Sequence, residues 1–230
     1  MSTTIAIDGP SGSGKSTVSK EVARRNGLAY LDTGAMYRAA TWWVLDQRID
    51  PADEDAVIAA VREMPLTVPV DPDDQVILCA GHDITDAIRT PELSRVVSRV
   101  SSYFPVRDIL IALQRDIIAA EGEPDSYSHG RGIVAEGRDI TTVVKPDADL
   151  RVLLTASEEA RLARRAKELV GTVDAVTIEK TRGIVSERDR QDSAVTQFLE
   201  AADGVFTIDS STMSISDVVE TIENLAGRVT

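Results

Sequence analysis

The segment Gly9-Pro10-Ser11-Gly12-Ser13-Gly14-Lys15-Ser16 has the spacing G-x-x-x-x-G-K-[ST], directly after the apolar run Ile5-Ala6-Ile7 and directly before a helical pattern. Glycines at these positions let the backbone curl until successive N–H groups point at phosphate oxygens, and the helix that follows adds its positive amino end. Lys15 is then placed to reach the β and γ phosphates of a nucleoside triphosphate, and the Ser16 hydroxyl to ligate Mg²⁺. Gly9, Pro10, Ser11, Gly12, Ser13, Gly14, Lys15, Ser16 and Thr17 form the expected ATP-binding P-loop. An ordinary Gly-rich turn does not require the Lys-Ser pair at a helix start. The loop alone leaves switches, motors and small-molecule kinases open, so the second substrate has to be read elsewhere.

The apolar run Leu28 to Leu31 ends in Asp32-Thr33-Gly34-Ala35-Met36-Tyr37-Arg38, which sets a polar cap and a glycine at a helix start with Arg38 one turn inside. That arrangement suits a second anion. Asp-Thr-Gly-Ala is also half of an aspartic-protease dyad, but the chain carries one copy and the residues after it read as helix. Ile133-Val134-Ala135 runs into Glu136-Gly137-Arg138-Asp139, placing charged side chains at another strand end. In an open parallel sheet that edge faces the ligand crevice. Arg161, Arg164 and Arg165 share one face of a helix over Ser157 to Leu169, and Arg182, Arg188 and Arg190 follow beyond Val170-Gly171-Thr172. In an acidic chain these read as a lid closing over a polyphosphate, whose transferring group is stabilised by guanidinium forks. Neither His82 nor His129 is placed for base catalysis. A phosphate acceptor already carries an anionic oxygen and needs positioning and charge neutralisation instead.

The elements that must hold these residues alternate short apolar runs with longer helical ones, the pattern of an α/β fold with a parallel sheet. Strands are expected at Thr4 to Asp8, Leu28 to Leu31, Gly132 to Ala135, Leu150 to Thr155 and Val205 to Ile208. Helices are expected at Lys15 to Arg25, Ala35 to Gln47, one long stretch ending near Ala120, Ser157 to Leu169, Val176 to Arg188 and Ser214 to Leu225. Five strands with crossover helices make one doubly wound domain. Between Asp50 and about Arg95 the rhythm breaks: Leu66, Val68 and Val70 alternate, Asp71-Pro72-Asp73-Asp74 turns, and Val76 to Leu78 resumes, which reads as a small β-rich insert. The division expected is a core over 1–49 and 96–230, with the lid at about 157–192, and an insert over 50–95. Glu121 to Arg131 reads as a solvated loop.

With 38 acidic against 25 basic residues and a net charge of -13, the surface repels a nucleic-acid polymer, so an anionic small substrate must be held by a local arginine cluster. Cys79 is the single cysteine, and the sequence lacks both a signal-peptide pattern and a run of the ~20 apolar residues needed to span a bilayer. A cytoplasmic monomer with no membrane partner is expected.

Taken in order, the Gly9–Ser16 loop with Ile7-Asp8, Leu31 to Arg38, Gly81-His82-Asp83-Ile84-Thr85-Asp86-Ala87-Ile88-Arg89, Phe104-Pro105-Val106-Arg107, Glu136 to Ile140 with Val143-Val144 and Pro146-Asp147-Ala148, and Glu187-Arg188-Asp189 with Asp192-Ser193 resemble the bacterial cytidylate kinases over nearly the whole chain. The resemblance implies a P-loop NTPase fold with a CMP-binding insert and a helical lid, ATP and CMP or dCMP as substrates, and Mg²⁺ with the ATP. It implies that Ser98, Arg107 and Asp139 read the cytosine edge. Thr33, Arg38 and Arg138 would grip the acceptor, and Arg188 with Asp192 would hold the sugar. Lys15, Arg38, Arg138 and Arg188 become the expected catalytic group. The chain departs from the pattern at Asp192-Ser193-Ala194-Val195, where the family runs Asp-Ser-Thr-Arg before Ala-Val. An arginine aimed at the phosphates has no counterpart there, and Arg190 is the candidate substitute. Thr141 stands where a glycine is frequent, and Gln197-Phe198-Leu199 replaces a common Pro-Leu. A GTPase switch is disfavoured, since Val144-Lys145-Pro146-Asp147 lacks the first residue of a guanine-reading motif and precedes a strand. A P-loop kinase for another small acceptor, and an ATP-binding module with impaired catalysis, remain as alternatives.

Overall fold

The computed structural model describes residues 2–170 and 199–229. The helix expected over Val176 to Arg188, together with Arg182, Arg188, Arg190 and Asp192, lies outside the described residues. Five strands pair in parallel: β1 (Thr3–Asp8), β2 (Ala29–Asp32), β6 (Gly132–Gly137), β7 (Leu150–Thr155) and β8 (Phe206–Asp209), in the order β2-β6-β1-β7-β8. From β1 the chain winds first to one side, through β2 and β6, and then to the other, through β7 and β8. The crevice of this doubly wound sheet therefore opens at the carboxyl end of β1.

Apolar runs on both faces are the reason these segments pair centrally, because a parallel sheet is covered by helices on both sides. Ile5 and Ile7 of β1, Leu150, Val152 and Leu154 of β7, and Ile208 of β8 point to one face. They pack there against Val18 and Val22 of α1 (Lys15–Asn26) and Val218, Val219 and Ile222 of the carboxyl-terminal helix α7 (Ile215–Val229). Ala6, Leu31, Ile133 and Ala135 point to the other face, where Ile111 and Ile118 of α5 (Phe104–Ala120) and Met36 of α2 (Thr33–Asp46) cover them.

Between α2 and α5 the chain forms α3 (Glu54–Arg62), a three-stranded antiparallel sheet of β3 (Leu66–Thr67), β4 (Leu78–Cys79) and β5 (His82–Asp83), a 3₁₀ turn (Ala87–Arg89) and α4 (Pro91–Ser101). Ala80 and Gly81 take φ of 49° and 77°, the left-handed pair that a two-residue hairpin between β4 and β5 demands. The segment before that hairpin reaches the main sheet, since Tyr30 N–H on β2 donates to the Val70 carbonyl at 2.8 Å. The long helix expected to run to Ala120 is two helices. Pro105 cannot donate within a helix and sits in the first turn of α5, where no donor is missed, while Ser102 and Tyr103 turn the chain. No helix among the described residues is long and apolar enough to cross a membrane.

Candidate active site

The loop after β1 depends on its glycines, Gly9 and Gly14 among them. A Cβ on Gly9 would lie 2.1 Å from the Leu154 carbonyl oxygen of β7, and Gly14 takes φ 94° as the residue that opens α1 without a side-chain cap. The first N–H groups of α1 thus stay available to a ligand. Lys15 Nζ donates to the Pro10 carbonyl at 3.1 Å, closing over the loop. Ser16 Oγ donates to Glu136 Oε1 at 2.5 Å, and the Tyr30 hydroxyl donates to the same oxygen at 3.0 Å. Glu136 is buried, and burial holds its carboxyl above the usual range, with the nearby Asp32 carboxylate pushing the same way. Asp32 and Glu136 are register partners on β2 and β6. Hydroxyl and carboxylates at this edge are the hard oxygen donors that suit Mg²⁺. Among the described residues no three His, Cys, Asp or Glu side chains cluster as a ready-made metal cage.

On the acceptor side, Asp139 follows β6 and is 3% exposed, in an ion pair with Arg107 of α5. Burial pushes its carboxyl up to about 6; Arg107 opposes the shift and Asp8 reinforces it. The Arg107 guanidinium also lies 5.6 Å from the centroid of the Tyr37 ring. Near this pair the Tyr37 hydroxyl and both amide atoms of Gln114 are buried with no hydrogen-bond partner among the described residues. Arg38, on α2, turns its Nη1 onto the Ile88 carbonyl and the Ser94 hydroxyl, each at 3.0 Å, and so joins α2 to the 3₁₀ turn and α4. Ser98 lies one turn beyond Ser94 on α4, and Arg138 is half-buried between Gly137 and Asp139. Thr33 is 2% exposed and its hydroxyl donates to the Glu136 carbonyl at 2.8 Å, which makes it a staple between α2 and β6 in this structure.

The two sides are joined by Asp8, the last residue of β1. Its carboxylate is buried and accepts from Ile140 N–H at 2.9 Å, Thr141 N–H at 2.8 Å and the Thr141 hydroxyl at 2.6 Å. Burial raises this carboxyl and the three donors pull it back down. The segment it anchors, Ile140–Val144, is a π-type turn wound on the Asp139 carbonyl, which accepts from the N–H groups of Val143 and Val144. Single π turns of this kind are frequent at functional sites.

Two arginines of α6 (Glu158–Val170) meet the P-loop. Arg161 Nη1 donates to the Ser11 carbonyl at 3.2 Å and Arg164 Nη1 to the Ser13 carbonyl at 3.1 Å, so both reach the P-loop backbone on its carbonyl side.

A family model described as Cytidylate kinase matches residues 5–228. The chain belongs to the cytidylate kinase family. The cytidylate kinase of Streptomyces griseus is 42% identical over 96% of this chain and 91% of its own length, and that of Corynebacterium efficiens 44% over 94% and 90%. A longer relative, the bifunctional pantoate ligase/cytidylate kinase of Synechococcus sp. (strain CC9311), is 43% identical over 97% of this chain and 44% of its own length. Among solved structures, shikimate kinase from Acinetobacter baumannii in complex with shikimate aligns over 99% of this chain and 94% of its own at 15% identity and a TM-score of 0.44.

In this member of the cytidylate kinase family, three groups at the crevice escape a reading by sequence. Glu136 is visible only as part of a charged strand end, and its contact with Ser16 spans 120 positions. Asp8 offers a signal, a lone carboxylate ending an apolar strand, which must find donors once buried. Arg164 offers none, because helical spacing sets its face but not the partner that face meets.

Proposed function

We propose that this protein transfers the γ-phosphoryl group of ATP directly to CMP or dCMP, giving CDP or dCDP, with Mg²⁺ accompanying the ATP, as a cytoplasmic monomer. One observation carries the acceptor assignment: a buried carboxylate and a guanidinium, Asp139 just after β6 and Arg107 on α5, stand as a pair at the carboxyl end of the sheet, β6 being next to the strand that feeds the P-loop. Cytosine presents an exocyclic amine beside a ring nitrogen and carbonyl, so an ionised Asp139 accepts a hydrogen bond from the amine N–H and Arg107 donates to the acceptors. Uracil sets a carbonyl oxygen against Asp139, acceptor against acceptor. The names carried by the relatives support the same reading.

In this reading Lys15 and the P-loop N–H groups hold the donor phosphates, while Arg38 and Arg138 hold the acceptor phosphate. Thr33 and Ser98 line the acceptor pocket, and Arg188 with Asp192 holds the sugar. Ser16 and Glu136 would hold the Mg²⁺, which neutralises charge on the donor phosphates. No general base is required, because the attacking oxygen is already anionic; the protein aligns it and spreads positive charge around the transferring group. The test is a coupled assay with ATP, Mg²⁺ and a panel of monophosphates. CMP and dCMP are expected to exceed UMP by roughly 100-fold in kcat/KM, the size of one or two mismatched hydrogen bonds to a charged group. Turnover of UMP or AMP without turnover of CMP would overturn the assignment.

A further inference from the structure

Arg164 makes three contacts behind the P-loop. Its Nη1 donates to the Ser13 carbonyl at 3.1 Å and to the Ser210 hydroxyl at 2.9 Å, and its Nη2 donates to the Ser210 carbonyl at 2.6 Å. Ser210 follows β8 and is 3% exposed. Its N–H donates to the Thr155 carbonyl at 2.8 Å, and its hydroxyl, which accepts from Arg164 and has one proton to give, lies 3.0 Å from both the Ser13 and the Thr155 carbonyls. With that proton turned to Ser13, the Arg164 guanidinium and the Ser210 hydroxyl converge on one carbonyl of the loop.

A trans peptide is a rigid plane in which the C=O of one residue and the N–H of the next point in opposite directions. Holding the Ser13 carbonyl outward aims the Gly14 N–H inward, toward the concave side where triphosphate oxygens lie. The loop needs such a constraint. With glycine at 12 and 14, both at positive φ, rotation of the intervening peptides meets little steric resistance. The Arg161 contact to the Ser11 carbonyl orients the Gly12 N–H by the same geometry.

We infer that Arg164 and Ser210 are positioning residues for the phosphoryl donor: together they clamp the Ser13–Gly14 peptide so that the Gly14 N–H is preset to meet the ATP phosphates. This deepens the proposed function and rests on ATP being the donor. Losing the clamp returns a rotational freedom that ATP must then remove on binding, so the loss falls on the donor and not on the acceptor.

The test compares wild type with Arg164→Met, Arg164→Lys, Ser210→Ala and the double variant Arg164→Met with Ser210→Ala. ATP affinity is measured by calorimetry without acceptor, and KM is measured for ATP and CMP separately. Arg164→Met is expected to weaken ATP by roughly tenfold, the worth of a charge-assisted hydrogen bond, with KM for CMP within about twofold. Arg164→Lys restores part of the loss, since an ammonium supplies a donor but not the fork. The double variant is expected to be no weaker than about twice Arg164→Met, because both groups hold one carbonyl and their effects do not add. Unchanged ATP affinity in a folded Arg164→Met, or equal losses for ATP and CMP, would overturn the clamp. Should Arg164→Met fail to fold, Ser210→Ala decides: weaker ATP binding with CMP unaffected supports the clamp, and unchanged ATP binding overturns it. Wild-type protein that binds no ATP would instead overturn the donor reading, and the clamp with it.

Discussion

Asp139 is an acid whose environment and proposed task pull in opposite directions. Burial favours the neutral carboxyl and pushes its pKa up to about 6, against the pull of Arg107, whereas accepting a hydrogen bond from the cytosine amine calls for the ionised form. With the pKa raised, the binding-competent form is lost as pH falls through about 6, so kcat/KM for CMP rises across that range. The acceptor phosphate has its own second pKa near 6 and contributes a similar limb. The ratio of wild type to Asp139→Asn removes it, since the substrate is common to both and the asparagine carbonyl accepts at every pH. That ratio is expected to climb roughly tenfold between pH 5 and 7.5 and then level, following the ionised fraction of one carboxyl. A flat ratio would take Asp139 out of base recognition. Glu136 is raised for a similar reason; its hydrogen-bond partners Ser16 and Tyr30 are neutral donors, and the Lys15 ammonium nearby opposes the shift.

The element that presents Asp139 is the π-type turn Ile140–Val144, and what fixes that turn is the end of another strand. The Thr141 hydroxyl gives Asp8 one of its three hydrogen bonds, so Thr141→Val, which keeps the β-branched shape and deletes that donor, is expected to cost about 1–2 kcal/mol. In a protein of this size that lowers Tm by roughly 2–8 °C, while Thr141→Ser holds near wild type; calorimetry of the two variants reads the difference. Equal melting of Thr141→Val and wild type would mean that the hydroxyl adds nothing beyond the two backbone donors. This contact also marks where the sequence stops being readable. Strands and helices that are periodic and flanked by Gly or Asp are legible within a residue or two, as at Thr3–Asp8 and Lys15–Asn26, because hydrophobic period and turn chemistry are local. The P-loop is legible for the same reason. The Asp8–Thr141 bond joins positions 133 apart, and the contact of Arg164 with Ser13 joins positions 151 apart; no local pattern encodes such a meeting. By the same limit, helical spacing could not show that Arg161 and Arg164 reach the carbonyls of the P-loop. Pro105, by contrast, carried a local signal for the break between α4 and α5, one outweighed by the continuous apolar pattern around it.

Across the whole molecule, a net charge of -13 opposes the approach of two polyanionic nucleotides, so their affinity has to come from short-range contacts inside the crevice. Those contacts divide between the two sides of the sheet edge: Lys15 lies with the loop after β1, and Arg107 with α5 and Asp139. If donor and acceptor occupy separate pockets, each stabilises the fold by its own linkage term, about 2.7 kcal/mol at 100 times its dissociation constant. For a chain of this length each term is a rise in Tm of roughly 5–10 °C. Lys15→Ala is expected to abolish the rise with ATP and Mg²⁺ and to keep the rise with CMP, and Arg107→Ala is expected to do the reverse. Four thermal scans per protein, with no nucleotide, either one and both, make the comparison. If either variant lost both shifts, the two nucleotides would share one pocket, and direct transfer between two bound phosphates would have no structural basis. If both shifts survived in both variants, neither cation would be placed where its phosphate or base sits. Opposite losses in the two variants are the pattern that two adjoining anion sites at one sheet edge require.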